Sequence, residues 1–163
     1  MTTQLTSSAS VGRSSVLADH LGADSFVKDA LMVLAGASLV GVLAQVSVPM
    51  WPVPITGQTL GVLIVGAILG ARRGALSLLS YMLLGLAGMP WFSAASGGLA
   101  ALAKPSFGYI LGFIPAAWLI GKLSERAWDR HFWLSLAAFG GATLIPFIVG
   151  IPYMWAVLRI GGV

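Results

Sequence analysis

Three long stretches without Asp, Glu, Lys or Arg limit the possible folds of this chain more than any other feature of its sequence. Residues 30–71, 74–103 and 131–158 contain no Asp, Glu, Lys or Arg. The hydrocarbon core of a bilayer is roughly 30 Å thick, and about 20 helical residues cross it. Only 9% of the 163 residues are charged, whereas soluble domains carry about 25%. The sequence therefore predicts an all-α fold, a polytopic membrane helix bundle.

The ends of the apolar runs predict five membrane spans. They cover approximately 28–48, 58–70, 75–89, 106–121 and 132–150. Three prolines at 49, 52 and 54 end the first span, because proline has no backbone N–H to donate. Residues 71–74, Ala-Arg-Arg-Gly, read as a tight charged turn, and residues 152–163 are too short to span again. Residues 1–27 are expected to form a polar cytoplasmic tail, and 28–163 the bundle.

The distribution of cations predicts the orientation. With the N-terminus inside the cell, seven of the nine Lys and Arg side chains fall on the cytoplasmic side, and only Lys104 and Arg159 do not. Cytoplasmic loops of membrane proteins carry such an excess. We therefore expect a multi-pass protein of the plasma membrane with its N-terminus in the cytoplasm. Segments 49–57 and 90–104 then face outward.

The ionisable residues argue against an enzyme. Every Asp and Glu lies on the cytoplasmic side, with Asp29 at the very start of the first predicted span, so no acid–base pair or proton relay forms within the membrane. The chain has no cysteine and no phosphate-binding loop, and His20 and His131 read as interfacial loop residues. No catalytic residue, metal site or cofactor is predicted. No basic run is present that would bind nucleic acid.

The two outward segments predict a ligand pocket, since irregular backbone at membrane depth is tolerated where it lines a cavity. Thr56, Gln58 and Thr59 supply neutral polar groups, and Lys104 precedes a helix whose dipole also favours an anion. The remaining candidates are glycines, which allow close approach, and aromatic walls: Gly97, Gly98, Trp91, Phe92 and Tyr109. Alternatively, Lys104 only reaches to the membrane surface and Trp91 belongs to the interfacial aromatic belt.

The first span carries a face of small residues. Ala37, Gly41 and Ala44 lie on neighbouring helical turns. Such a face lets another helix pack closely. It could serve a partner helix or contacts within the bundle, and sequence alone leaves both open.

The order of several motifs resembles the BioY family, the biotin-specific substrate-binding components of energy-coupling-factor (ECF) transporters. The motifs are PVPITGQT at 52–59, LGARRGALS at 69–77, GLAGMPWF at 85–92, SGGLA at 96–100 and PSFGYILGF at 105–113. The resemblance extends from about Lys28 to Trp155. It is specific as a set, because any one of these short motifs alone means little.

The resemblance implies a six-helix membrane protein that captures biotin from outside. It implies a transmembrane coupling protein and two cytoplasmic ATPases as partners, with membrane lipid around the bundle. Ala37, Gly41 and Ala44 would then dock the coupling protein. The implied substrate-binding residues are Thr56, Gln58, Tyr81, Pro90, Phe92, Ser96, Gly97, Gly98, Lys104 and Tyr109. The alternatives are a substrate-binding component for a different vitamin, and a structural membrane protein without a ligand.

Two departures from the family pattern bear on the carboxylate of the ligand. Family members end with a sixth helix carrying a G-D-x-x-K motif, and this sequence stops at Val163 before it, so we expect a fragment. Some members place an arginine just before the Gly-Gly pair, where Ser96 stands here. Lys104 is therefore our candidate partner for the carboxylate.

Overall fold

Helices form most of the chain in the computed structural model, which describes residues 26–126 and 132–161. The elements, in chain order, are α1 (Phe26–Gln45), β1 (Ser47–Val48), β2 (Ile55–Thr56), α2 (Gln58–Leu86), two short 3₁₀ helices (Ser93–Ala95 and Leu99–Ala103), α3 (Phe107–Ser124) and α4 (Phe132–Ile160). The predictions for the N-terminal tail before Phe26, with His20, and for His131 lie outside the described residues.

Helix α2 is a hairpin of two antiparallel arms, 58–69 and 71–86. Gly70 between them has φ 82° and ψ 177°, a non-helical conformation that favours glycine. Gln58 Nε2 lies 2.6 Å from the Tyr81 hydroxyl, although 23 residues of straight helix would extend about 35 Å. A methyl group added at Gly74 would lie 3.0 Å from the Cα atom of Gly66. The chain therefore reverses at Gly70, next to the predicted charged turn.

The proline-rich segment after α1 forms a small antiparallel β-hairpin. Ser47 pairs with Thr56 and Val48 with Ile55. The backbone N–H of Gly57 donates to the carbonyl of Val46 at 2.9 Å, which closes the base of the hairpin. The prolines lie between the strands, where no ladder hydrogen bond is needed from them. This hairpin leads directly into α2.

Two sets of contacts identify the ends of the bundle. At one end, Arg73 Nε donates to Asp29 Oδ1 at 2.9 Å, and the Ala71 N–H donates to Glu125 Oε1 at 2.9 Å. The start of α1, the turn of α2 and the end of α3 therefore meet there. At the other end, the Tyr153 hydroxyl donates to the Leu102 carbonyl at 2.6 Å. The β-hairpin and segment 87–106 lie at this second end, as the sequence predicts for one face of the membrane.

Small residues allow the helices to approach closely. A methyl group added at Gly66 would collide with Ile120, and one added at Gly121 would collide with the backbone of Ala71. Tight helix contacts of this kind gain dispersion energy, which drives association where lipid replaces water. The core is centred on α2 and α3, with Leu78, Tyr81 and Phe113 among its buried side chains.

The small-residue face of α1 is occupied by the chain itself. Ala37 and Ala44 are fully buried, and Gly41 lies against the ring of Trp91, where an added methyl would be 3.0 Å away. The opposite face of α1 exposes large apolar side chains, including Leu31 and Val42. The alternative of contacts within the bundle therefore describes Ala37, Gly41 and Ala44 in this structure. The expectation that they face a partner helix departs from it, because Ala37 and Ala44 are buried inside the bundle and the ring of Trp91 covers Gly41.

Four of the described helices, α1 to α4, are long and apolar enough to cross a membrane. A helical membrane bundle is therefore confirmed, but the count of spans differs from the predicted five. The numbers differ because the predicted spans two and three are the two arms of the hairpin α2, which forms one element with a break at Gly70. The fifth predicted span was also too short: α4 continues beyond Gly150, through Pro152, to Ile160.

Candidate functional site

A cavity of about 270 Å³ lies between the β-hairpin, segment 92–106 and the adjoining parts of α3 and α4. Its volume lies just below the range typical of small-molecule sites, about 300–1,000 Å³. The lining residues are Val53, Pro54, Ile55, Thr56, Gln58, Thr59, Phe92, Ser93, Ser96, Ala101, Lys104, Ser106, Phe107, Tyr109, Ile110, Phe113, Pro146 and Phe147. Both irregular segments singled out in the sequence thus contribute to one cavity.

Six of the ten predicted substrate-binding residues line this cavity. They are Thr56, Gln58, Phe92, Ser96, Lys104 and Tyr109. They come from segments that are up to 53 residues apart in sequence, and the folding of α2 into a hairpin brings them together. Their direct role in binding stays a prediction.

The other four predicted residues do not line the cavity. Tyr81 is fully buried behind Gln58. Pro90 is exposed. Gly97 packs against the Met89 carbonyl, where an added methyl would collide. Gly98, at φ 82°, donates its N–H to the Gly85 carbonyl at 2.7 Å. The two glycines therefore shape the segment rather than approach the cavity directly.

The polar wall of the cavity is formed by Thr56 and Gln58, where β2 passes into α2. The Thr56 hydroxyl donates to Gln58 Oε1 at 2.8 Å. Gln58 Nε2 donates to the Tyr81 hydroxyl at 2.6 Å, and that hydroxyl donates to the Trp91 carbonyl at 3.2 Å. Gln58 is 6% exposed. A side chain so deeply buried needs these partners, because an unsatisfied buried polar group costs about 1–3 kcal/mol.

Segment 91–96 forms the opposite wall and is held in a strained backbone conformation. Ala94 and Ala95 have φ values of 58° and 49°, in the left-handed region that alanine rarely adopts. Gln45, at the end of α1, stabilises this shape. Its Oε1 accepts from the Ala95 N–H at 3.0 Å, and its Nε2 contacts the carbonyls of Trp91 and Phe92, each at 3.2 Å. Sequence reasoning missed Gln45, although a glutamine at the end of an apolar span is a signal that it has polar partners.

The apolar wall comes mainly from α3. Phe107, Ile110 and Phe113 are buried and follow one another at intervals of three residues, so they share one face of the helix. The rings of Phe92 and Phe107 meet edge to face, with centroids 6.4 Å apart. This three-residue spacing in the first half of α3 was a signal that the sequence analysis did not use. Pro146 and Phe147, which add to the wall from α4, were also missed.

Lys104 gives the cavity its electrostatic character. Among the described residues that line the cavity, it alone carries a formal charge. It is exposed and precedes α3 by three residues, so its ammonium and the positive end of the helix dipole lie at the same corner. This corner favours an anionic group. Within 26–126 and 132–161, no group of three or more His, Cys, Asp or Glu side chains could hold a metal ion.

Comparison with known proteins agrees with this architecture. The sequence profile of the BioY family matches residues 7–163. A biotin transporter BioY from Rhizobium etli is 39% identical over 128 residues, which make up 74% of this chain and 68% of that protein. A biotin transporter BioY from Rhodobacter capsulatus is 41% identical over 113 residues, 67% of this chain and 58% of that protein.

A solved structure shares the fold. The S-component for biotin from an ECF-type ABC transporter superposes with a TM-score of 0.59 at 25% identity. The match covers 82% of this chain and 70% of that one. The chain thus spans between 58% and 70% of the length of these three proteins.

Proposed function

The chain belongs to the BioY family, and we propose that it binds biotin in the cavity between the β-hairpin and α3. On this proposal it serves as the substrate-binding part of an ECF-type uptake system. The observation that carries the proposal is the cavity itself, which combines a neutral polar wall, an aromatic wall and one cation. Relatives named biotin transporters and a biotin S-component of the same fold support it.

Each part of biotin has a chemical counterpart in the cavity. The cyclic urea of biotin offers N–H donors and a carbonyl acceptor, which suit the hydroxyl of Thr56 and the amide of Gln58. Its sulfur-containing ring and aliphatic chain are apolar and suit the walls formed by Phe92, Phe107 and Phe113. Its carboxylate suits Lys104, the one charged residue among the described lining residues.

The proposed setting is the plasma membrane, with the cavity open to the outside and the N-terminus in the cytoplasm. The end of the bundle that holds Arg72, Arg73, Lys122 and Arg126 would face the cytoplasm, in keeping with the positive-inside rule. A transmembrane coupling protein and two ATPase subunits would provide the energy, since the sequence has no phosphate-binding loop of its own. Because Ala37, Gly41 and Ala44 are buried within the bundle, the coupling protein would dock on other, exposed parts of the surface.

The proposed contact between Lys104 and the carboxylate of biotin gives the most direct test of this proposal. We expect Lys104→Met to weaken biotin binding by about tenfold or more, because a charge-assisted hydrogen bond contributes about 1.5–3 kcal/mol. Biotinamide, which has no carboxylate, should bind the wild type and the variant alike. Isothermal titration of detergent-purified protein measures both ligands, and Lys122→Met, at the far end of α3, is the control.

Three outcomes would contradict parts of the proposal. An equal loss for biotin and biotinamide would remove Lys104 from the carboxylate site. The same loss in Lys122→Met would mean that the effect is not local. Failure of the folded wild type to bind biotin, together with binding of another vitamin, would support the alternative of a different substrate on the same scaffold.

A further inference from the structure

A chain of hydrogen bonds joins the two walls of the cavity behind its surface. It runs from Thr56 through Gln58 and Tyr81 to the carbonyl of Trp91, and that carbonyl also lies 3.2 Å from Gln45 Nε2. Neither Tyr81 nor Gln45 lines the cavity. The network therefore connects the β-hairpin side to segment 91–96 through residues that a ligand in the cavity does not reach.

The Trp91 carbonyl sets the direction of every hydrogen bond in this network from Thr56 to Trp91. A carbonyl oxygen can only accept, so the single proton of the Tyr81 hydroxyl is used in donating to it. The Tyr81 oxygen must then accept, which turns Nε2 of Gln58 toward Tyr81 and Oε1 toward Thr56. The Thr56 proton is used in turn on Gln58 Oε1.

This direction leaves a defined pair of hydrogen-bonding groups on two residues that line the cavity. With its proton engaged, the Thr56 oxygen can offer a ligand only an acceptor. Gln58 Nε2 carries a second hydrogen beyond the one given to Tyr81, so it can act as a donor. An acceptor beside a donor complements the edge of a cyclic urea, where N–H and C=O are adjacent.

We propose that Tyr81 and Gln45 are positioning residues, which act through the carbonyl of Trp91 to fix the direction of the hydrogen bonds at the wall formed by Thr56 and Gln58. As a consequence, this wall selects a ligand that has adjacent N–H and C=O groups. This inference rests on the proposed function for the identity of the ligand. Tyr81, expected from the sequence to contact the substrate, instead acts through Gln58. Gln45 holds the Trp91 carbonyl in place and ties segment 91–96 to α1 through the Ala95 N–H.

The first test needs no ligand. Tyr81→Phe and Gln45→Leu should each increase amide hydrogen exchange in segment 91–96 of the detergent-purified full chain, because each removes a partner of the Trp91 carbonyl. The matched control is Tyr153→Phe, which removes a tyrosine hydroxyl bonded to the Leu102 carbonyl and does not line the cavity. Faster exchange should then be confined to residues 99–104. Unchanged exchange in segment 91–96 for both test variants would overturn the proposal.

The second test measures selection. The probes are the two N-methylbiotins, in each of which one of the two urea N–H groups carries a methyl group instead. Wild type should bind biotin about threefold to tenfold more tightly than one of these two probes, because methylation of that nitrogen removes one hydrogen bond to the wall. Thr56→Val should abolish this preference, and Tyr81→Phe should reduce it although Tyr81 does not touch the ligand. Tyr153→Phe should retain the full preference.

The double variants separate positioning from a general structural effect. Thr56→Val combined with Tyr81→Phe should weaken biotin binding by less than the product of the single effects, because both act through Gln58. Thr56→Val combined with Tyr153→Phe should weaken biotin binding by the full product of the two single effects. Multiplicative behaviour of both pairs would overturn the positioning role. No biotin binding by wild type would overturn the proposed function instead, and the exchange test would still decide whether Tyr81 and Gln45 hold the wall.

Discussion

At the scale of single residues, the structure stores backbone strain beside the cavity. Ala94 and Ala95 both occupy the left-handed region, at a cost of roughly 1–2 kcal/mol per residue. Such conformations persist only where the surroundings determine them, and they concentrate at ligand-binding segments. Here the Ala95 N–H is bonded to Gln45. The neighbouring residues Phe92, Ser93 and Ser96 line the cavity.

Replacing Ala95 by glycine should therefore stabilise the protein. We expect Ala95→Gly to raise the free energy of unfolding by about 0.5–1 kcal/mol, because glycine adopts positive φ without a steric cost and the exposed methyl group makes little packing. The control is Ala137→Gly in α4, where the alanine is also exposed but helical. This substitution should lower the free energy of unfolding by about 0.5–1 kcal/mol. Thermal unfolding in detergent measures both. A lower melting temperature for both variants would show that Ala95 is not strained.

At the scale of secondary-structure elements, close helix contacts position the cavity. The turn of α2 at Gly70 lies against Gly121 of α3, where a side chain would collide with the backbone of Gly70 and Ala71. Because backbone cannot rotate aside as a flexible side chain can, α3 would have to move away from α2. The lining residues Phe107, Ile110 and Phe113 belong to α3, so this contact helps to set the position of the apolar wall.

We expect Gly121→Ala to lower the free energy of unfolding by about 1–3 kcal/mol, the usual cost of overpacking. Gly140→Ala is the matched control, since Gly140 also lies in a helix but has nothing within 4 Å of an added methyl group. It should be neutral or slightly stabilising, because alanine is the better helix former. Thermal unfolding of the two variants compares them directly. Equal changes in the free energy of unfolding would mean that helix propensity, and not the contact with Ala71, determines the effect of Gly121→Ala.

At the scale of the whole molecule, the two ends of the bundle differ in the charged groups that they carry. The Arg73–Asp29 pair and the Glu125 carboxylate lie at the end where α2 turns, while Lys104 and the cavity lie at the opposite end. The ion pair itself contributes little to stability, about 0–1 kcal/mol for partly exposed partners. The separation matters for orientation instead, since the end with most cations is expected to stay in the cytoplasm.

The absence of cysteine from the sequence makes this orientation easy to test. We expect a membrane-impermeant maleimide to label Leu99→Cys in intact cells, because Leu99 is exposed beside the cavity end. Arg72→Cys, in the turn of α2, should be labelled only after the cells are permeabilised. Unsubstituted protein gives the background. The reverse labelling pattern would contradict a cytoplasmic N-terminus and a cavity that opens outward.

The class of fold could be predicted from the amino-acid sequence alone. Uncharged apolar runs of this length belong in a membrane, where a helix satisfies all of its backbone hydrogen bonds internally. The prolines and glycines of residues 49–57 and 90–104 also predicted that these segments are irregular. Seven of the residues that line the cavity were predicted, Thr59 among them. The predicted charged turn at 71–74 lies at the reversal of α2, where Gly70 allows the required backbone conformation.

Which side chains line the cavity and which support it from behind depends on how the helices pack together. Tyr81 and Phe92 are both aromatic and close in sequence, yet Tyr81 lies behind Gln58 and Phe92 lines the cavity, because the α2 hairpin brings Gln58 between Tyr81 and the open space. The role of Gln45 depends on a segment 46–50 residues away. Likewise, whether Gly41 faces a partner or the bundle depends on where Trp91 packs. Such contacts arise from the mutual placement of helices, which local patterns of polarity and spacing do not specify.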